Sequence, residues 1–481
     1  MTDKLLQRHV ILIVMTLCVL GGGIAGLTAA HYALNNPAVK RLVVLESSSR
    51  LGGWIQTTRN KDGVLYEKGP RTIRPAGPQG ANTLALVEEL GLSDSVRPVP
   101  YGHPSSSNRL VLVDGKLHKL PSTLRSVFRN LPPFSRPLAM AVFKDLLAPR
   151  VKCEDTSLYE FVSRRLGADI AQYAVDPLVR GICAGDSRQV SVHFIAKYLH
   201  QMEQETGRIT FGVARDYIKG QFTKPEEPII ERLELVKQAR GEKWAVWGLE
   251  NGLETLVETL QKSLVKRGVE INTGVSVENI AMSSGKVVVS CGSDITCDKL
   301  VLALPAFKAA PLVQGISEEL SSQLASIPFV DVAVVNIEYK GKVLDHQGFG
   351  FLVPSNQPEP ILGCIYDSCT FPQGNRTVFT VMIGGAWYNQ MVGSKSPAEV
   401  GNIAIKEISR ILNISATPVR CDTSFLPQCI AQYTVGHRAR VEQARRVIEE
   451  KKLPLAIAGS SYDGPGINDT IVSARNAVIT M

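Results

Sequence analysis

The residues best suited to chemistry in this chain are glycines. Gly21-x-Gly23-x-x-Gly26 follows an apolar run and opens a helical pattern, and Glu46 stands twenty residues beyond Gly26, at the end of the next apolar segment. Gly21, Gly22, Gly23 and Gly26, with Ile24 and Ala25 between them, permit a tight turn. They also let backbone N–H groups approach a pyrophosphate at a helix N-terminus. An acid at the Glu46 spacing can accept a hydrogen bond from a ribose hydroxyl. A second cluster is Glu46-x-x-x-Arg50-x-Gly52-Gly53-Trp54. Its glycines let backbone pass close to a flat, charged ligand, Arg50 can hold a phosphate, and Trp54 can pack beside an aromatic ring. This second loop favours FAD over NAD, because a nicotinamide dehydrogenase needs no such element. Gly69-Pro70-Arg71-Thr72 could set backbone groups beside a flavin ring. The C-terminal Gly459-x-x-x-x-Gly464-x-Gly466-Ile467-Asn468 precedes a final helix whose N-terminus could stabilise the negative charge of a reduced flavin.

These motifs need strands and helices to hold them. The apolar run Val10–Leu20 ends in Gly21-Gly22-Gly23 and reads as a buried parallel strand. Lys4 and Arg8 precede it as they would in an export signal, and residues 9–14 exceed what a strand needs. A helix over TAAHYALNN and a strand over Arg41–Glu46 follow. Ser157-x-x-Glu160 reads as a capping box before FVSRRLG. Residues 250–304 are expected to give a helix and three strands; 330–390 suggest an antiparallel sheet; 453–481 read as strand, Gly-rich turn and helix over TIVSARNAV. At eleven residues the Val10–Leu20 run is too short to cross a bilayer, no other run is long enough, and nothing repeats. The fold class is α/β, with a nucleotide-binding domain interrupted by inserted segments.

The chain has 481 residues, 44% of them hydrophobic, and a net charge of +8. Nine scattered cysteines with no CxxC pair read as reduced thiols, with no metal site expected. The charge is concentrated: Lys116 to Lys152 holds eight basic residues against one acid, Asp145. Bulky apolar residues such as Phe128, Phe143 and Leu147 are interleaved with them. Cations for anionic headgroups beside an apolar face for the interface suit a peripheral membrane element. The bland reading is a solvated basic face over a core stripe. Nucleic acid is not expected, because no stacking-aromatic groove accompanies the charge.

Together the motifs resemble the GxGxxG flavin amine-oxidase superfamily and, within it, the protoporphyrinogen oxidase family. The narrower likeness rests on RGICAGD, GFGFLVP, QYTVGH and AGSSYDGPGIND. The resemblance implies one non-covalent FAD per chain. Its contacts fall on Gly21 to Gly26, Glu46, Arg50, Gly53, Trp54, Gly69 to Thr72, Val277, Ser460, Pro465, Gly466 and Ile467. It implies that Arg109 meets a propionate and that Phe349 and Leu352 flank a pyrrole ring. Gly181, with Leu178 and Ala184, would sit beside the macrocycle, and Ile365 and Met382 would be further apolar walls. The implied layout is a discontinuous Rossmann-like FAD-binding domain at 14–103, 223–304 and 441–481. A helical membrane-binding domain at 104–222 and an inserted mixed-sheet substrate domain at 305–440 complete it.

The implied activity is oxidation of protoporphyrinogen IX to protoporphyrin IX in the penultimate step of haem biosynthesis. It proceeds by three two-electron hydride oxidations with dioxygen as acceptor and hydrogen peroxide as product. The implied setting is the intermembrane-space side of the mitochondrial inner membrane, as a peripheral homodimer that hands product to ferrochelatase. Asn251-Gly252 and Ala431 depart from the Gly-Gly and Pro usual there. No acid–base dyad is evident, and His103, His193 and His437 read as structural.

Two other readings stay open. One is another FAD amine oxidase or desaturase; the C-terminal loop lacks the cysteine a monoamine oxidase uses for covalent flavin, and Cys429 is too far upstream. The other is a non-catalytic flavin-fold binding protein, against which the intact Arg50-x-Gly52-Gly53-Trp54 loop stands.

Overall fold

The computed structural model describes residues 14–220 and 233–481. The start of the Val10–Leu20 run, and so most of the 9–14 extension, lies outside the described residues. Within them, Met15–Leu20 is the central strand of a five-stranded parallel sheet. The order is Leu455–Ile457, Lys299–Leu302, Met15–Leu20, Val39–Glu46, Glu270–Thr273. Strand alternation sends Leu17 and Val19 to one face, and Cys18 and Leu20 to the other. Helices Ile24–Ala33, Glu254–Lys266 and Ile467–Ile479 cover the first face. Helices Ala306–Val313, Glu318–Ala325 and His437–Glu450, with a three-stranded antiparallel sheet, cover the second. A parallel sheet buried on both faces explains why its strands are unbroken apolar runs.

A seven-stranded mixed sheet stands beside it. Its order is Arg420–Ala431, Phe329–Lys340, Arg376–Gly384, Gly363–Ile365, Gly350–Leu352, Arg109–Val113, Lys116–Lys119. All neighbours are antiparallel except Gly350–Leu352 with Arg109–Val113, which run parallel. Helix Pro397–Leu412 packs Val400, Ala404 and Ile408 on one face.

This pairing moves two expected boundaries. Residues 104–119 do not belong to a helical domain, because Arg109–Val113 and Lys116–Lys119 complete the mixed sheet. Residues 305–328 do not belong to the substrate sheet, because their two helices pack on the parallel sheet. Strand edges and helix faces chose those partners, and neither is visible along the chain. Two helices also begin earlier than read. Ile24 and Ile467 each follow a glycine directly, so the helices start inside the motifs rather than at Thr28 or Thr470.

The remaining unit, after Lys119, consists of short helices with a π-helical turn at Ala171–Val175. No described helix is long and apolar enough to cross a membrane. Ser157 caps Leu158–Arg165, but only half of the expected box forms: Glu160 accepts from Thr156 Oγ1 at 3.1 Å instead of reaching back to Ser157. Beside an apolar core that includes Leu158, Phe161, Val162 and Val179, this unit buries an ion cluster. Arg165, with a fully buried side chain, lies 3.3 Å from Asp145 and 2.9 Å from Glu203, both buried too. Asp145 also accepts from the N–H of Thr210 at 2.9 Å, so the lone acid of the basic stretch ties two helices together. Removing one partner of such a cluster leaves uncompensated buried charge. Arg165→Met is therefore predicted to destabilise this unit by about 3–5 kcal/mol, read as earlier proteolysis within 124–220 on heating.

Candidate active site

A cavity of about 2120 Å³ runs from the C-terminal ends of the parallel strands to the open face of the mixed sheet. It exceeds the roughly 300–1,000 Å³ of an ordinary small-ligand pocket, so it has room for two large ligands end to end.

The first end is built from glycine turns. Gly21 has φ +105°, and a Cβ on Gly26 would fall 1.8 Å from Gly21 O, so the turn accepts no side chain there. Gly22 N–H donates to Glu46 Oε2 at 2.7 Å, and Ser48 N–H donates to Oε1 at 2.8 Å. Gly52 N–H donates to Gly22 O at 2.9 Å, which locks the second glycine loop onto the first. Gly21, Gly23, Ile24, Ala25, Glu46, Arg50, Gly53 and Trp54 line the cavity, while Gly22 and Gly26 shape the turn behind its wall. Arg50 differs from expectation. Its guanidinium donates to Leu51 O at 2.9 Å, to Ile55 O at 3.2 Å and to Gly53 O, so it folds its own loop. Val277 lines the cavity past strand Glu270–Thr273.

The far side of this end comes from the C-terminus. Gly466 is the N-cap of the last helix, and no side chain caps that helix or Ile24–Ala33. Two uncapped helix N-termini therefore open on one cavity, and each favours negative charge. Tyr433 OH donates to Ser460 O at 2.8 Å and accepts from Gly464 N–H at 2.7 Å, clasping the loop that presents Ser460, Pro465, Gly466 and Ile467. Asn468 Nδ2 donates to Arg74 O at 2.8 Å, and its buried Oδ1 has no partner. Gly69, Pro70, Arg71 and Thr72 form the wall between, and a Cβ on Gly69 would meet Trp54 O at 2.0 Å. Arg71 is almost buried, 3.5 Å from Asp367. The donor-rich helix ends, the orphan acceptor and the side-chain-free loops fit a dinucleotide with a flat anionic ring.

The second end is apolar. Leu178, Gly181, Phe349, Leu352, Ile365 and Met382 line it. A Cβ on Gly181 would lie 2.6 Å from Leu352 Cδ2, so helix Asp176–Cys183 is seated directly on the sheet. Ala184 is a correction: it is buried among Val332, Val334 and Leu362, behind the wall, because the left-handed helix end turns it inward. Arg109 reaches this cavity and has no carboxylate partner among the described residues. Partial burial, with Arg74 nearby, holds its pKa below the ordinary value.

Sequence reasoning missed Arg74, Ile182, Leu426 and Tyr433 as cavity residues. Tyr433 and Ile182 had a signal, their places in QYTVGH and RGICAGD. His103 and His193 keep structural roles: His103 accepts from Ser105 N–H, and His193 Nε2 contacts Glu154 O at 2.8 Å. His437 is buried 4.0 Å from the Tyr433 ring, and its ring nitrogens have no partner. Burial pushes its pKa down from 6.5 to about 4. The folded state thus resists protonation. The stabilisation is complete above the ordinary imidazole pKa and is lost as pH falls from about 6.5 to about 4. A loss on the order of 3 kcal/mol is expected across that window. A profile of melting temperature against pH checks this, and His437→Gln should flatten the slope.

The family model for flavin containing amine oxidoreductases matches residues 24–479. The chain is 40% identical over 471 residues to protoporphyrinogen oxidase of Bos taurus, covering 96% of this chain and 97% of the relative. It is 39% identical over 475 residues to the Homo sapiens enzyme of the same name, covering 97% and 98%. A crystal structure from Exiguobacterium sp. 255-15 superposes with a TM-score of 0.79 at 23% identity, covering 97% of this chain and 98% of that one. The glycine turns, the two helix ends and these matches agree: this chain belongs to the flavin containing amine oxidoreductase family.

Proposed function

We propose that this chain oxidises protoporphyrinogen IX to protoporphyrin IX in the penultimate step of haem biosynthesis, with one non-covalent FAD per chain and dioxygen as final acceptor. The observation that carries the reading is Arg109, a cation without a carboxylate partner among the described residues at a largely apolar chamber, in a chain similar over nearly its full length to relatives of that name. A guanidinium matches a carboxylate in fork geometry, and the macrocycle's apolar body suits Phe349, Leu352 and Leu178. Bound flavin would supply hydride acceptance, three times over for the six electrons, and re-oxidation by dioxygen would give hydrogen peroxide. The chain's own part is to bind, orient and exclude water. Arg109 anchors one edge of the substrate. Phe349 and Leu352 hold a ring against the partition between the two ends of the cavity. The C-terminal loop offers Ser460 and Ser461 rather than a cysteine, which supports non-covalent binding.

The proposed setting is the outer face of the mitochondrial inner membrane, as a peripheral homodimer passing product to ferrochelatase. Exposed apolar side chains on the helical unit support membrane contact: Phe128 is 66% exposed, Phe143 60% and Leu147 85%, among Arg125, Arg129, Lys144 and Arg150. Ile182 and Ile195 are exposed as well and lie on the rim of the cavity. A poorly soluble substrate would enter from the bilayer side.

Growth of porphyrin fluorescence from protoporphyrinogen IX in air, against a heat-killed control, tests the activity. Arg109→Ala is expected to raise KM by about 10- to 100-fold, the worth of a charge-assisted hydrogen bond, with a smaller change in kcat. Fluorescence that fails to grow from flavin-loaded protein would reject the substrate. For the membrane, replacing Phe128, Phe143 and Leu147 together by serine should weaken co-sedimentation with anionic vesicles by about tenfold or more. Unchanged sedimentation would make that surface an ordinary solvated face.

A further inference from the structure

A second cavity, of about 660 Å³, lies behind the wall that carries Arg71. Exposed Arg59, Asp62, Arg97 and Glu250 set its mouth, and Glu67, Asn336, Asp367 and Thr370 set its inner end. Arg71 lines both cavities. The inner end is a continuous polar network. Thr380 Oγ1 donates to Asp367 Oδ2 at 2.6 Å, and Asn336 Nδ2 donates to Thr380 Oγ1 at 2.8 Å and to Glu67 O at 3.3 Å. The Glu67 carboxylate accepts from Leu253 N–H at 2.8 Å and from the Thr57 hydroxyl at 2.8 Å. Two buried atoms here, Thr370 Oγ1 and Asn336 Oδ1, have no partner.

The Arg71 guanidinium lies 3.5 Å from Asp367, and its charge also acts on Glu67. Burial raises the pKa of both, Glu67 to about 7 and Asp367 above its ordinary value, while Arg71 opposes each shift. The other charged groups around Glu67 are Glu254, bonded across Thr57, and the four residues at the mouth. Tyr66, on the same strand, is bonded instead to Glu338, which pairs with Arg376 at 3.2 Å. Neither carboxylate lines the main cavity, and Arg71 both lines it and pairs with Asp367.

We propose that Glu67 is a positioning residue for charge: it takes up one proton through the second cavity when the cofactor in the main cavity is reduced, and releases it on reoxidation. The proposal rests on flavin occupying the main cavity. Hydride from the porphyrinogen brings two electrons and one hydrogen to the cofactor side, and the pyrrole N–H proton leaves to solvent. One solvent proton adds to the Glu67 carboxylate, so charge gained on one side of Arg71 is matched by charge lost on the other. When dioxygen takes the two electrons, the hydride hydrogen and one further proton complete hydrogen peroxide, and the proton Glu67 returns balances that second one. The Arg71 guanidinium carries the field between the two sites.

The test uses holoenzyme reduced stepwise with dithionite. Reduction-minus-oxidation infrared spectra of the wild type at about pH 7 should gain a carboxylic-acid carbonyl band. The band should vanish in Glu67→Gln and remain in Asp367→Asn. At about pH 8, Glu67→Gln should shift the oxidised-to-reduced ratio about tenfold toward the reduced form at a fixed potential, about 30 mV for a two-electron couple. The shift should shrink below about pH 6, where the wild-type carboxyl is already protonated. No carboxyl band in the wild type, a band that survives Glu67→Gln, or a shift independent of pH would each overturn the proposal. If Glu67→Gln fails to hold flavin, the wild-type band and its titration near pH 7 decide alone. A wild type with no flavin absorbance overturns the proposed function itself, which tells the two failures apart.

Discussion

The structure depends on backbone approaching a ligand with no side chain between them. That condition is met where two glycine loops cross: Gly52 donates to Gly22 O, Gly22 donates to Glu46, and Gly26 packs on Gly21 O. The crossing aims one helix N-terminus into the cavity. The aim is kept by elements remote in sequence, because Tyr433 closes the C-terminal loop and Asn468 bonds back to Arg74. A site assembled this way needs several distant segments at once. The interruption of the nucleotide domain by inserted units is compatible with that need.

The seam between the two sheets has a different physics. It is polar and buried, with Arg71 between two cavities and carboxylates behind it. Buried charge held this way contributes little net stability. It does fix the position of a guanidinium at the partition, where a charge change on one side is felt on the other. The apolar chamber beyond works by the opposite means, since Leu178, Phe349 and Leu352 contribute area and shape while Arg109 contributes direction.

The helical unit buries an ion cluster of Asp145, Arg165 and Glu203 beside its apolar core, and its surface shows Phe128, Phe143 and Leu147. An apolar exterior among basic residues suits an interface between water and lipid, where the outside need not be uniformly polar.

The sequence by itself determined the parallel sheet, the glycine turns and the cofactor class, because these rest on local rules. A strand buried on both faces must be an apolar run, and a tight turn beside a phosphate must be glycine. Most of the apolar chamber was legible too, through short motifs such as GFGFLVP. The sequence did not show that Arg50 would turn onto its own loop carbonyls, that Ala184 would point into the core, or that 104–119 would join the mixed sheet. Nor did it show Arg74 at the chamber or the cavity behind Arg71. Apart from the Arg50 turn, which is local, these depend on which distant segment becomes a neighbour: strand Gly350–Leu352 for Arg109–Val113, Asp367 for Arg71, Val332 and Val334 for Ala184. Residue type sets what a side chain can do. Only the packing of segments hundreds of residues apart decided what each side chain meets.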